Sequence, residues 1–241
     1  MTDEIEQLLR SLRLHKIAKM LDEELERADK EGLSHQELLV RLLRAQWHHQ
    51  QEGVLAYRIK QAAMPERWTI ESFPWKCQPG VTQRQIRGFA DLDFVPKAEN
   101  IVFIGPTGVG KTGLATGLLL KALQNGHRGL FIRAQDLFDE MYASLADRSS
   151  RKLVNHLSRI DVLAIDEMGY LNLKPEQTNI FFKLMEERHR RRPTIITTNL
   201  HYDEWHGFLG NKPLVEALLS RLRERCHTVK IEGPSLRDQQ G

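Results

Sequence analysis

The stretch Asn100–Leu119, NIVFIGPTGVGKTGLATGLL, limits the folds open to this chain more than any other feature. Its middle, Gly105–Thr112, fits G-x-x-x-x-G-K-[ST] at every fixed position. A loop of that form works only between a strand and a helix, because its backbone N–H groups and the start of the helix together face an anion. The apolar run NIVFIG before the glycines predicts a strand buried on both faces, as in parallel sheets. Parallel strands need crossover helices, so the rest of the chain must alternate. It does. GLFIRA predicts a second strand, then QDLFDEMYASLADRSSRKLVNHLSRI a helix, a polar break and another helix. DVLAIDE and TIITTN predict two more strands around the helix QTNIFFKLMEERHRR. The helix PLVEALLSRLRERC and the strand TVKIEG close the series. The expected core is an α/β fold with a five-stranded parallel sheet and helices on both faces.

Residues 1–66 carry no strand signal and predict a small all-helical N-terminal domain. IEQLLRSLRLHKIAKMLDEELERA sets Ile5, Leu8, Leu9, Leu12, Ile17, Met20 and Leu21 on one face of a helix that Gly32 ends. Ser34 and Glu37 fit a capping box that opens a second helix, stopped by Pro65. Residues 67–241 form the second domain. Its first part, 67–99, is a connector with two prolines and two tryptophans in ERWTIESFPWKCQPG and a short helix in TQRQIRGFADLDF.

Composition adds mainly exclusions. A formal charge of +3 over 241 residues does not by itself call for nucleic acid. Cys77 and Cys226, far apart, read as free thiols of a reducing cytoplasm. The acidic, amphipathic start has no signal-peptide core, and no apolar run is long enough for a bilayer. Cytoplasmic localisation, with no membrane partner, is the expectation.

The phosphate loop assigns Gly105, Pro106, Thr107, Gly108, Val109, Gly110, Lys111, Thr112 and Gly113 to nucleotide binding. The glycines let the backbone curl so that N–H groups face phosphate oxygens. Lys111 reaches the β- and γ-phosphates of a nucleotide, and the Thr112 hydroxyl ligates Mg²⁺. At the end of VLAIDE, Asp166 holds the metal shell and Glu167 polarises the attacking water. Asn199, ending TIITTN, can bond both the γ-phosphate and that water; taken alone, such an Asn is more often a turn or helix cap. Arg221 in LLSRLRERC lies on a helix whose Arg223 and Arg225 fit a solvated face equally well.

GPTGVGKT, DVLAIDE, TTN and SRLRER, with the connector RIKQAAMPERWTIESFPW and the lead-in TQRQIRGFADLDFVPKAENIVFIG, resemble the AAA+ ATPases of the initiator and helicase-loader clade. The nearest resemblance is to IstB-type helper ATPases of insertion-sequence transposition, with DnaC-type helicase loaders as relatives. The likeness covers most of the chain. It implies a Mg²⁺-dependent ATPase with ATP at subunit interfaces of a homo-oligomer. Lys111, Glu167 and Asn199 would be catalytic, and Arg221 would be a finger supplied to a neighbour's nucleotide. It further implies assembly on duplex target DNA and a partner transposase that performs strand transfer. The chain departs from the AAA+ pattern after the last strand, where GPSLRDQQG stands in place of a lid; Arg237 there is either a second phosphate sensor or part of a disordered tail, and the tail is expected.

For DNA, the polar break supplies Arg148, Arg151 and Lys152 beside Tyr142, suited to phosphate contacts. The run ERHRRRP, with Arg188 and Arg190–Arg192, fits DNA binding and a dipole-favoured helix end equally. Trp47 on the second helix reads as core. The alternative function is a replicative helicase loader binding single-stranded DNA. A small-molecule P-loop kinase is disfavoured by the Asp166–Glu167 pair.

Overall fold

The computed structural model of the protein describes residues 3–65, 68–169 and 171–237. They group into two compact units, 1–57 and 58–241, dividing ahead of the 66/67 boundary read from the sequence.

The first unit is built from α1 (Asp3–Ser11), α2 (His15–Glu31) and the greater part of α3 (His35–Gln61). The single helix expected up to Gly32 is broken. Leu14 N–H reaches back to Leu9 C=O (2.8 Å) around Arg13, whose φ of 58° is left-handed. That is a glycine-like terminator filled by a non-glycine, which is why no sequence signal announced it. Of the apolar face expected there, Ile17 is buried, whereas Ile5, Leu8 and Leu12 stay exposed. Gly32, at φ 64°, ends α2 as expected. The capping box also forms: Glu37 N–H donates to Ser34 Oγ (3.3 Å) and Ser34 N–H to Glu37 Oε2 (2.9 Å). Leu14 cannot cap α2, so α3 does it instead. The buried Gln46 accepts from the N–H groups of Lys16 (2.9 Å) and Ile17 (3.3 Å). Trp47, expected in a core, is 55% exposed.

The second unit adds α4 (Gln83–Ala90), capped by Thr82, then β1 (Asn100–Ile104) and α5 (Lys111–Gln124). Next come β2 (Gly129–Arg133), α6 (Ala134–Ala146), α7 (Ser150–Ser158) and β3 (Val162–Met168). The chain continues through α8 (Pro175–Arg188), β4 (Thr194–Thr198), a 3₁₀ turn (Tyr202–Trp205), α9 (His206–Leu209), α10 (Lys212–Glu224) and β5 (Cys226–Lys230). The 3₁₀ turn and α9 are too short to leave a periodic pattern. All five strands are parallel, in the order β2-β3-β4-β1-β5.

Alternation along the strands divides the core in two. Val102, Ile104, Leu163, Ile165 and Ile196 face α6, α7, α8 and α10 through Phe138, Leu157, Phe181 and Leu218. Ile101, Phe103, Val162, Ala164 and Ile195 face α4, α5 and the connector through Ile86, Leu114, Leu118 and Phe73. Burial on both faces is what made these strands read as unbroken apolar runs. β1 and β4 are neighbours, yet their connections lead to opposite edges of the sheet, β2 and β5. A crevice at the carboxyl ends of strands at such a switch point is where open α/β sheets bind ligands.

The tail after β5 corrects the sequence expectation. Up to Arg237 it is an ordered strap: Ile231 N–H donates to Ile104 C=O (2.8 Å) and Leu236 N–H to Gly108 C=O (2.9 Å). Residues 238–241 lie outside the described residues. Among the described residues no helix is long and apolar enough to cross a membrane.

Candidate functional site

The loop between β1 and α5 lies at the switch point. Gly108 (φ 87°) and Gly110 (φ 93°) take left-handed conformations that other residues adopt only with strain. Among the described residues no group accepts from the N–H of Thr107, Gly108, Val109 or Gly110. Orphaned donors at a helix start form an anion cradle. A cleft of about 760 Å³ opens beside them, lined by Lys111, Thr112, Asp166, Glu167, Thr197, Asn199 and Arg237 among others.

Lys111 Nζ donates to the carbonyls of Gly105 and Pro106, both at 2.7 Å, across the mouth of the loop. Burial draws its pKa below the usual lysine value; Asp166 and Glu167 oppose this, and the charge of Arg237 adds to it. The ammonium is thus partly stripped of water, where its pull on an anion is stronger than in bulk.

Thr112 Oγ donates to the Asp166 carboxylate, with oxygens at 2.9 and 3.1 Å. Asp166 is buried and accepts a second hydrogen bond from Thr197 Oγ. Thr197 Oγ accepts in turn from Glu167 N–H (2.9 Å). The register between β3 and β4 is irregular from Ile165 to Met168, so the acidic pair sits on a bulge. Glu167 has φ 58° there, followed by Gly169 at φ 144°. The bulge keeps Asp166 inward and turns Glu167 into the exposed wall of the cleft. Two hard oxygen donors side by side, the Thr112 hydroxyl and the Asp166 carboxylate, suit Mg²⁺, which takes few protein ligands and keeps water and phosphate oxygens. The cradle, lysine and acids therefore fit a nucleoside triphosphate with its metal.

Asn199 follows β4 and lines the same cleft. Arg221 does not line it. It is half exposed on α10, 3.6 Å from Glu186 of α8. Thr197 was not singled out as a site residue by the sequence, because a threonine inside a β-branched strand looks like any other strand residue. Arg237 was set aside as tail, but the strap carries it into the cleft. Arg133 also reaches the cleft, its Cα paired with that of Asp166 across β2 and β3.

Of the basic groups, Arg148 (φ 59°), Arg151 and Lys152 are exposed around the α6–α7 turn. Tyr142 nearby is exposed too, and its hydroxyl accepts from Lys174 Nζ (2.7 Å). The run ending α8 is largely committed within the chain. Arg188 is 1% exposed and donates to Leu157, Ile160 and Pro193 carbonyls and to Thr194 Oγ, so it belongs to the fold, not to a DNA surface. Arg190 pairs with Glu224, Arg191 with Glu187 (3.0 Å), and Arg192 with Asp161 (3.5 Å).

The sequence profile described as IstB-like ATP binding protein matches residues 7–241. A protein of Pseudomonas aeruginosa, named as an ATP-binding protein of insertion sequence IS21, is 34% identical over 97% of this chain and 88% of its own length. Its counterpart for IS5376 in Geobacillus stearothermophilus is 33% identical over 98% and 94%. Among solved structures, AMPPCP-bound DnaA from Aquifex aeolicus superposes with a TM-score of 0.59 at 21% identity, over 70% of this chain but only 51% of that one. The DnaC helicase loader superposes at 0.54 and 24% identity, over 62% and 88%. These two likenesses speak to the fold alone.

Proposed function

The chain belongs to the family of IstB-like ATP-binding proteins, with a P-loop NTPase core of the AAA+ type, and from that premise we propose that it is a Mg²⁺-dependent ATPase serving insertion-sequence transposition. It assembles on duplex DNA with ATP between subunits, engages a transposase, and hydrolyses ATP to release or remodel the assembly. The observation that carries the ATPase reading is the hydrogen-bond chain Thr112–Asp166–Thr197–Glu167. It ties the phosphate loop to the strand-end acids, and so ties nucleotide binding to the group that activates water.

Each residue acts as follows. Loop N–H groups and Lys111 hold the phosphates; Lys111 exchanges the Gly105 and Pro106 carbonyls for phosphate oxygens. Thr112 and Asp166 hold the metal. Mg²⁺ held there would offset the negative charge that develops on the phosphates. Glu167 accepts a proton from water that Asn199 helps to orient. Arg221, exposed and outside the cleft of its own chain, is suited to reach a neighbour's nucleotide, a contribution of about 10³–10⁵ in rate. Arg148, Arg151 and Lys152 offer charge to the DNA backbone, with Tyr142 beside them; Arg190 is a weaker candidate because Glu224 already holds it.

The test is sedimentation of the full chain with duplex or single-stranded DNA, with ATP, ADP or no nucleotide, and Lys111→Ala as control. ATP-dependent complexes on duplex DNA support the reading. Assembly on single strands alone turns it toward helicase loading. Arg148→Ala with Arg151→Ala should lower the log–log salt slope of DNA binding by about two units; an unchanged slope removes that surface from the proposal.

A further inference from the structure

The phosphate loop is gripped by segments distant in sequence. Two segments do this, the connector up to Gly80 and the strap from Ile231 to Arg237. Between them stands Gln78, fully buried. Its Nε2 donates to Val109 C=O and to Pro234 C=O, both at 3.1 Å, and its Oε1 accepts from Gly80 N–H (3.2 Å). Every polar atom of the side chain is thereby used. One residue back in the loop, Gly108 C=O accepts from Leu236 N–H at 2.9 Å. Packing closes the grip. A β-carbon on Gly108 would collide with Ser235 Oγ, and one on Gly110 would lie 2.7 Å from the Phe73 ring and 2.9 Å from Leu236.

These bonds matter because a trans peptide is planar, with its C=O and N–H pointing opposite ways. Gly108 C=O shares a peptide plane with Val109 N–H, and Val109 C=O shares one with Gly110 N–H. Holding both carbonyls, on the strap and on Gln78, fixes the directions of both N–H groups. Around glycines with positive φ such planes otherwise turn at little cost, and a turned plane would present a carbonyl to the phosphate.

We infer that Gln78 and the 231–237 strap are positioning elements that preset two peptide planes of the phosphate loop, so that the Val109 and Gly110 N–H groups face the phosphates of a nucleotide before it arrives. This rests on the nucleotide-binding reading above and adds to it residues far away in the sequence. It also makes the strap a lever: whatever displaces it loosens the grip on phosphate and withdraws Leu236 and Arg237 from the cleft wall.

The experiment is calorimetric titration of the full chain with ATP, ADP and inorganic pyrophosphate, well below each variant's melting temperature. Gln78→Met keeps the volume and removes the donors. Leu236→Pro removes one backbone N–H of a half-buried residue, and Leu236→Met keeps it. Each lost orienting bond to a phosphate-facing plane should weaken binding about tenfold. The loss should be equal for ATP, ADP and pyrophosphate, since only the phosphate cradle changes, and Leu236→Met should restore it. Wild-type affinity in both Gln78→Met and Leu236→Pro, with Lys111→Ala still defective, overturns the inference while leaving the nucleotide site standing. Failure of the wild-type chain to bind ATP overturns the nucleotide reading itself. Should Gln78→Met not fold, the Leu236→Pro and Leu236→Met pair decides alone.

Discussion

Replacing Thr197 with valine tests the site at its least obvious joint. Valine matches threonine in shape and keeps the strand, so the perturbation is the hydroxyl alone. Thr197 is 1% exposed. Its hydroxyl donates to Asp166 and accepts from Glu167 N–H. Losing a hydrogen bond to a carboxylate costs about 1.5–3 kcal/mol, and stranding the partly buried Glu167 N–H adds at most about 1–3 kcal/mol. Asp166 keeps its bond from Thr112 at 2.9 Å, which limits the first term. A total near 3 kcal/mol follows, or roughly 6–12 °C in melting temperature at about 2–4 °C per kcal/mol for a unit of this size. The catalytic effect is separate. Glu167 occupies a left-handed conformation that costs about 1–2 kcal/mol and is held by the Thr197 bond. Once released, its carboxylate moves by the order of an ångström, enough to cost about a hundredfold in turnover. Thermal unfolding and steady-state ATPase assays on Thr197→Val and Thr197→Ser read both effects. The serine variant should keep most of the stability and rate, and ATP KM should change little in either. An unchanged melting temperature together with unchanged turnover in Thr197→Val would refute the reasoning.

Three further outcomes are expected. Glu167→Gln should lower ATP turnover by about 10²–10⁴ while ATP affinity, measured by titration, stays within a few-fold of wild type; equal losses in both would instead mark Glu167 as a binding group. Gln46→Leu, which strands the N–H groups of Lys16 and Ile17, should destabilise the 1–57 unit by about 1–3 kcal/mol, read by amide hydrogen exchange, while the ATPase rate of the other unit is unaffected. Asp161 bears on acid stability: burial works to raise its pKa, but the Arg128 N–H (2.9 Å) and the Arg128 and Arg192 charges outweigh it, and the carboxyl lies below its usual value. A depressed carboxyl contributes stability above its unfolded pKa and loses it as pH falls through the folded one, so Asp161→Asn should flatten the melting-temperature profile below about pH 4; a profile parallel to wild type would contradict this.

The sheet and the phosphate loop were legible because each signal is local. β1 announces itself by apolar residues that are buried whichever face they point to, and the loop by residue types that only an anion cradle needs at that spacing. The break at Arg13 was not legible, since a left-handed arginine violates the propensity that would have marked it. The same holds for Glu167. Trp47 was misread as core because size and apolarity on a helix do not say whether a neighbour covers them. Arg188 shows the opposite error: a charge in a basic run is read as solvated, yet its four acceptors come from segments as distant as Leu157 and Pro193.

The sequence by itself determined which chemical groups this protein has and the local frames that carry them: Lys111 and Thr112 opening a helix, Asp166 and Glu167 closing a strand. Tertiary structure alone decided how those frames are joined. Thr197 links the acids to one another, Gln46 caps a helix from across its unit, and Gln78 with the strap holds the phosphate loop. In each case a side chain satisfies a backbone group or a carboxylate that lies distant in sequence. A buried polar group must find a partner somewhere, but the sequence does not say where until folding brings one within reach.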